Sequence, residues 1–480
     1  MRRTSPHIGT LAAVACAGSL FVHPAAQAYE AATTHAGLTE RAVEASRLHH
    51  MLSRLGRPLG LLEPLHAGLD LLGPDERRDL QARLDSLDPA GGYRPGPDGV
   101  EGAAGWVVAG TVMAKTPPER AANHFLDPSN GKGLDDGPGL SGAAHSVRLF
   151  LDGGTSVRGL ATGTAFTLQG KSALDWISSP GNDLGVPVFF DNWERAVTLA
   201  EPRARESALV RALLALGGVV AVLEDLGQPA FVRNDFRGEF LHGDDGSAYE
   251  QFVAEHYGRT GLPAAAAPVS RPDLASFFAS TDGKGLANRT QRRFFSEGTM
   301  PADVSLEPDT KVDDVVRRAR ESLAYPSPTV SALVLRPAQR RRYLAVEGHR
   351  VLAYENNGTQ VRFLLDDAVH ADMARALLPE IGGYAAGLLN HLLRGSLEMT
   401  AAGTKVTVGL GSDVKQGGAL RVFAEDSNGR RRELPEAAAT LAPGSDLVFD
   451  VPAGTKKLAA VLRGRDVGGP FVAAGELALP

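Results

Sequence analysis

From residue 29 to about residue 394, apolar side chains return at three- and four-residue intervals, and beyond Gly395 they return at every second residue. The first spacing places one apolar stripe along a helix, and the second gives one apolar face to a strand. It predicts helices over residues 40–55, 74–87, 206–226, 248–257 and 368–393. In the last of these, Met373, Leu377, Ile381, Ala385 and Leu388 share one side. Clusters of Pro and Gly at 89–97 and 128–142 read as loops. Near the end, Val406, Val408 and Leu410 alternate with Lys405, Thr407 and Gly409, as in a half-buried strand. Residues 447–451 and 458–462 flank Pro452-Ala453-Gly454, which predicts a hairpin. The expected organisation is a mainly α multi-helix domain over residues 29–394, followed by a small β-sandwich over 395–480.

Composition refines this picture at the N-terminus. Arg2 and Arg3 precede an apolar stretch over residues 8–22, and Ala26-Gln27-Ala28 supplies a small-x-small cleavage pattern. Residues 1–28 therefore read as a signal peptide, which predicts a secreted, periplasmic or cell-surface protein. That stretch is shorter than the ~20 residues needed to span a bilayer, and no transmembrane segment is predicted after it. The chain's one cysteine, Cys16, lies inside the signal, and Ala13-Val14-Ala15 before it is a poor lipidation motif. Cleavage after Ala28 leaves no thiol, so any metal must be held by His and carboxylates. With 50 basic and 56 acidic residues the net charge is −6, which gives no nucleic-acid footprint. The run Arg340-Arg341-Arg342 reads as a solvated face.

Three segments contain the candidate chemistry. The first is Thr34-His35-Ala36-Gly37-Leu38-Thr39-Glu40, and the second is Asn123-His124-Phe125-Leu126-Asp127-Pro128. The third is the run ALGGVVAVLEDLGQPAFVRND over residues 215–235. A lone His or helical Asp is most often structural or exposed. In this order, with the stretch 383–389 as a closing helix, the segments resemble the zinc-dependent phospholipase C family and its relatives, the single-strand-specific nucleases. The resemblance spans residues 33–394 and implies a helical bundle in which three zinc ions activate a water and polarise a phosphodiester. Clustered divalent cations lower the pKa of bound water and stabilise charge building on phosphoryl oxygens.

The resemblance also implies which positions hold metal. His35, His124, Asp225 and Glu250 match ligand positions, His35 acting beside the backbone of the first mature residue, here Tyr29. At four further ligand positions stand Lys115, Ala221, Phe231 and Gly246. An ammonium, a methyl, a phenyl and a hydrogen donate no lone pair to zinc. Since a catalytic zinc takes three protein ligands, the resemblance leaves fewer zinc ions than three, or none. His145, Asp175, His242, Asp244, Asp245 and His256 have bland readings as capping or surface groups.

Two functions of different class follow. One is a degenerate secreted homologue of zinc-dependent phospholipase C with a binding or scaffold role, and the residue count favours it. The other is a phosphodiesterase or phospholipase C acting on phospholipid, or on another phosphodiester, with a reduced or rearranged zinc site. Lys115 carries a sharper expectation: its ammonium takes the place of a lost cation and pairs with Asp225 or Glu250, because buried carboxylates without a cation are costly.

Overall fold

The computed structural model describes residues 34–85, 99–115, 118–134, 170–235, 247–256, 267–323, 331–334 and 341–479. Residues 1–28 with Cys16, together with Tyr29, His145, Arg340, His242, Asp244, Asp245 and Gly246, lie outside them.

The helical region is organised by six helices: α1 (Ala36–Ala45), α2 (Ala103–Met113), α3 (Val186–Thr198), α4 (Pro202–Asp225), α5 (Ala248–His256) and α6 (Asp367–Leu392). The helix predicted over 40–55 is two helices, because Ser46 turns extended after α1 and its hydroxyl then accepts from the Leu48 N–H of the next one. α4 is the axis of the bundle, buried from Ser207 to Asp225 apart from Arg211. Its length and apolarity would suffice to cross a bilayer, yet 89% of its most apolar window is buried among the chain's own residues. Glycines permit that packing: a Cβ on Gly217 would lie 1.9 Å from the Val107 carbonyl of α2, and one on Gly110 would lie 2.1 Å from that of Leu214. The two backbones thus meet without side chains between them.

The periodicity misses a sheet inside the region expected to be mainly helical. After the short pair β1 (Pro64–His66) and β2 (Val100–Gly102) come β3 (Val304–Ser305), β4 (Ser331–Val334), β5 (Arg341–Val346), β6 (His349–Asn356) and β7 (Gln360–Leu364). They form an antiparallel sheet of order β3-β7-β6-β5-β4. β5 and β6 are joined by Glu347-Gly348, both at positive φ, the two-residue turn that matches strand twist. Arg342 is exposed and Arg341 partly so, its guanidinium pairing at the surface with Glu355 at 2.7 Å and with Asp366 at 2.9 Å.

Strands follow α6 without interruption. The sheet β8 (Leu397–Ala402), β9 (Lys405–Leu410) and β13 (Asp446–Asp450) has order β13-β9-β8. It faces a second sheet of β10 (Gly418–Glu425), β11 (Arg431–Glu433), β12 (Ala439–Leu441), β14 (Lys457–Asp466) and β15 (Gly469–Ala478). Val406, Val408, Leu420, Val422, Leu458, Leu462 and Phe471 fill the space between them. The predicted hairpin is therefore wrong: β13 pairs with β9 and β14 pairs with β10 and β15, so Pro452-Ala453-Gly454 carries the chain from one sheet to the other. The outer face of the second sheet is also covered, since Phe423, Ala459, Val461, Val472 and Ala474 join the core of the helical region.

Candidate functional site

The C-terminal end of α4 brings Glu224 and Asp225 together, fully buried. Carboxylates there face the negative end of the helix dipole, and burial adds a desolvation cost. The surrounding elements supply cations and donors. His35, just before α1, places Nδ1 2.6 Å from Glu224 Oε2 and Nε2 3.1 Å from Asp225 Oδ1. Lys115, two residues beyond α2, places Nζ 3.0 Å from the same Asp225 Oδ1. His124, after a short 3-10 turn (Pro118–Asn123), places Nδ1 2.7 Å from Asp225 Oδ2. Thr39 Oγ1 donates to Glu224 Oε1 at 2.8 Å and lies 3.1 Å from Thr111 Oγ1.

Burial raises the pKa of Asp225, but the Lys115 ammonium, the charge on His35 and the hydrogen bonds from both histidines outweigh it. The carboxyl is held well below the usual range. Burial also lowers His35, yet the charge and hydrogen bonds of Asp225 and Glu224 bring it up to about 9. His35 is therefore an imidazolium that donates through both nitrogens. His124 goes the other way, because burial prevails over Asp225, with Lys115 and Arg120 adding to the lowering. A carboxylate only accepts, so the neutral His124 carries its proton on Nδ1. Its Nε2 keeps a lone pair and has no hydrogen-bond partner among the described residues.

Glu250, in the first turn of α5, is 3% exposed and accepts the backbone N–H of Ser247 at 2.5 Å. Burial raises its pKa, against the pull of the Lys115 charge. Two of the donor-less positions, Ala221 and Phe231, are packed as core, each 1% exposed. The Phe231 ring lies 4.4 Å from that of Phe125, and the Lys115 ammonium sits 4.8 Å from its centroid. The Lys115 expectation thus finds its pair in Asp225.

Other candidates keep local roles. Asp175 lies in the first turn of a short helix (Ala173–Ser178), where Ser172 caps its N–H. His256 bonds its own helix at Phe252 O and stacks on the Phe252 ring. The sequence reading missed Glu224. Its only mark was an acidic side chain at the end of an apolar run, next to Asp225.

Among the described residues, no group of three or more His, Cys, Asp and Glu side chains is arranged to hold a metal ion. Against a three-zinc centre the residues do not fit, since a buried ammonium sits on one Asp225 oxygen and a phenyl ring lies beneath that ammonium.

No protein-family model and no curated protein matches the chain. Among solved structures, the alpha toxin of Clostridium absonum is 11% identical with a TM-score of 0.27, over 94% of this chain and 96% of that one. The alpha-toxin of an avian strain of Clostridium perfringens is 10% identical with a TM-score of 0.26, over 95% of this chain and 100% of that one. Both likenesses are too slight to carry a functional conclusion.

Proposed function

We propose that this chain is a secreted, phospholipase C-like protein in which a protein-borne cation has replaced bound metal, and that it acts by binding or scaffolding rather than by hydrolysis. The observation that supports this is the Lys115–Asp225 pair, its Lys side chain 3% exposed and its Nζ–Oδ1 distance 3.0 Å. A zinc ion and an ammonium cannot share one carboxylate oxygen in a closed space without strong repulsion. Phe231 belongs to the same change, since an aromatic face steadies a desolvated ammonium where an imidazole would compete for Asp225.

One observation favours the alternative of a reduced zinc site. His124 holds its Nδ1 proton on a carboxylate and leaves Nε2 open, which is how zinc-ligating histidines are oriented by an outer carboxylate. Elemental analysis of the purified protein separates the two. The proposal expects no stoichiometric zinc and no turnover of phosphocholine lipid or other phosphodiester. It also expects the variant Lys115→Asp/Ala221→His/Phe231→His to gain tightly held zinc. Two or more equivalents of zinc in the unaltered protein, lost on Asp225→Ala, would overturn it.

A further inference from the structure

A second charged centre lies at the other end of α4 from the first, where the helical region meets the β-sandwich. Its cavity of about 170 Å³ is lined by Gly56, Arg57, Arg205, Arg431, Lys457 and Glu476, with Leu55, Ala196 and Leu209 as the apolar wall. Gly56 is required there, because at its φ of +68° a Cβ would come 2.7 Å from Glu476 Oε2. The deeper cations are committed. Arg431 donates to Glu425 at 2.8 Å, to the Val197 carbonyl and to Glu476. Arg205 donates to Glu425 at 3.1 Å and to the carbonyls of Leu199, Ala200 and Gly429.

The outer cations are not saturated. Lys457 Nζ lies 3.3 Å from Glu476 Oε2 and 3.9 Å from Glu425 Oε1. The Arg57 guanidinium lies 3.7 Å from Glu63 and makes no hydrogen bond among the described residues. Lys457 is 31% and Arg57 27% exposed at the side chain, so the cavity is reached from solvent past these two. Four cations face the carboxylates of Glu425, Glu476 and Glu63, which leaves one positive charge without a counterpart. A roomy polar cavity holds water or a polar ligand rather than empty space, and excess guanidinium and ammonium groups select an oxyanion.

We propose that this cavity is a binding site for a phosphate group, taken by Arg57 and Lys457 in the field of Arg205 and Arg431. This goes beyond the reading of the Asp225 centre and does not depend on it. The bound anion supplies the missing negative charge and ties the helical region to the sandwich. Its source is either free inorganic phosphate or the phosphate monoester of a small molecule.

Isothermal titration of the full chain with inorganic phosphate, against chloride at matched ionic strength, tests this. Saturable binding to phosphate is expected, at least about tenfold weaker in Arg57→Gln and in Lys457→Gln, with Arg57→Lys losing less. Both positions are partly exposed, and the melting temperature without phosphate reports whether each variant folds. Glycerol 3-phosphate in place of phosphate distinguishes the sources: equal or tighter binding assigns the site to an ester, and binding of inorganic phosphate alone assigns it to the free ion. No saturable phosphate binding, the same response to chloride, or undiminished binding in both Gln variants would overturn the proposal.

Discussion

The two buried charge centres differ in composition and in access to water. Around Asp225, whose carboxyl is held low, lie the Lys115 ammonium and the His35 imidazolium, while burial pushes the neighbouring Glu224 and Glu250 carboxyls up, and each of these side chains is almost wholly buried. At the sandwich junction, guanidinium and ammonium groups outnumber the carboxylates, and the centre opens to solvent through Arg57 and Lys457. A closed acid-rich centre has to be balanced by the protein's own cations. An open base-rich one leaves its last charge to a visiting anion. Buried charge alone therefore says little about function; its sign, its surplus and its access to water decide what a site can take.

The largest expected effect tests how far the closed centre relies on its ammonium. Lys115→Met should lower unfolding free energy by about 3–5 kcal/mol in urea titrations, since it strips a fully buried carboxylate of its ammonium and leaves it to the two histidines. Adding Asp225→Asn to that variant should restore part of the loss. A single Lys115→Met that unfolds like the unaltered protein would remove the ammonium from its proposed role. At the junction, Arg431→Gln leaves Glu425 and Glu476 with weaker donors and should cost about 2–4 kcal/mol in the same titration.

A third measurement uses pH at the same junction. His391 of α6 has its Nε2 3.0 Å from the Gly468 carbonyl, and burial, with the nearby Arg394 cation, lowers it to about 4 despite Asp466 and Asp273. The folded state therefore resists taking a proton that the unfolded chain accepts near pH 6.5. Stability due to this histidine is present above that pH and is lost as pH falls through about 4. His391→Gln should flatten the pH dependence of stability in urea titrations between about 6.5 and 4, a difference of at most about 3 kcal/mol. The smallest effect sharpens the contrast in access. Lys457→Gln, at a partly exposed position, should change stability by less than about 1 kcal/mol in phosphate-free buffer, where Lys115→Met is severe.

Much of this protein was legible along the chain. The helices of the bundle and the change to alternating strands after Gly395 follow from local spacing, whereas His35, His124, Asp225 and Glu250 were singled out only by the resemblance, and of these the structure brings His35 and His124 onto Asp225. Lys115 was singled out because it stood where an acid was expected, and the fold places it on Asp225. Glu224 was not legible as a site residue, because its partners His35 and Thr39 come from the opposite end of the domain. The sheet of β3 to β7 was hidden because its short strands sit between helices, although Glu347-Gly348 was a turn signal. The false hairpin around Gly454 shows the same limit. Local alternation marks a strand but does not say which sheet will pair with it.

The sequence by itself determined which segments bury an apolar face and which residue types a site could draw on, since periodicity and side-chain chemistry are local properties. Only the tertiary structure decided that an ammonium sits on Asp225, that His124 leaves one nitrogen open, and that four cations meet over one cavity. Those outcomes depend on contacts between residues far apart in the chain, where the desolvation of each charge is set by whatever the fold happens to bring beside it.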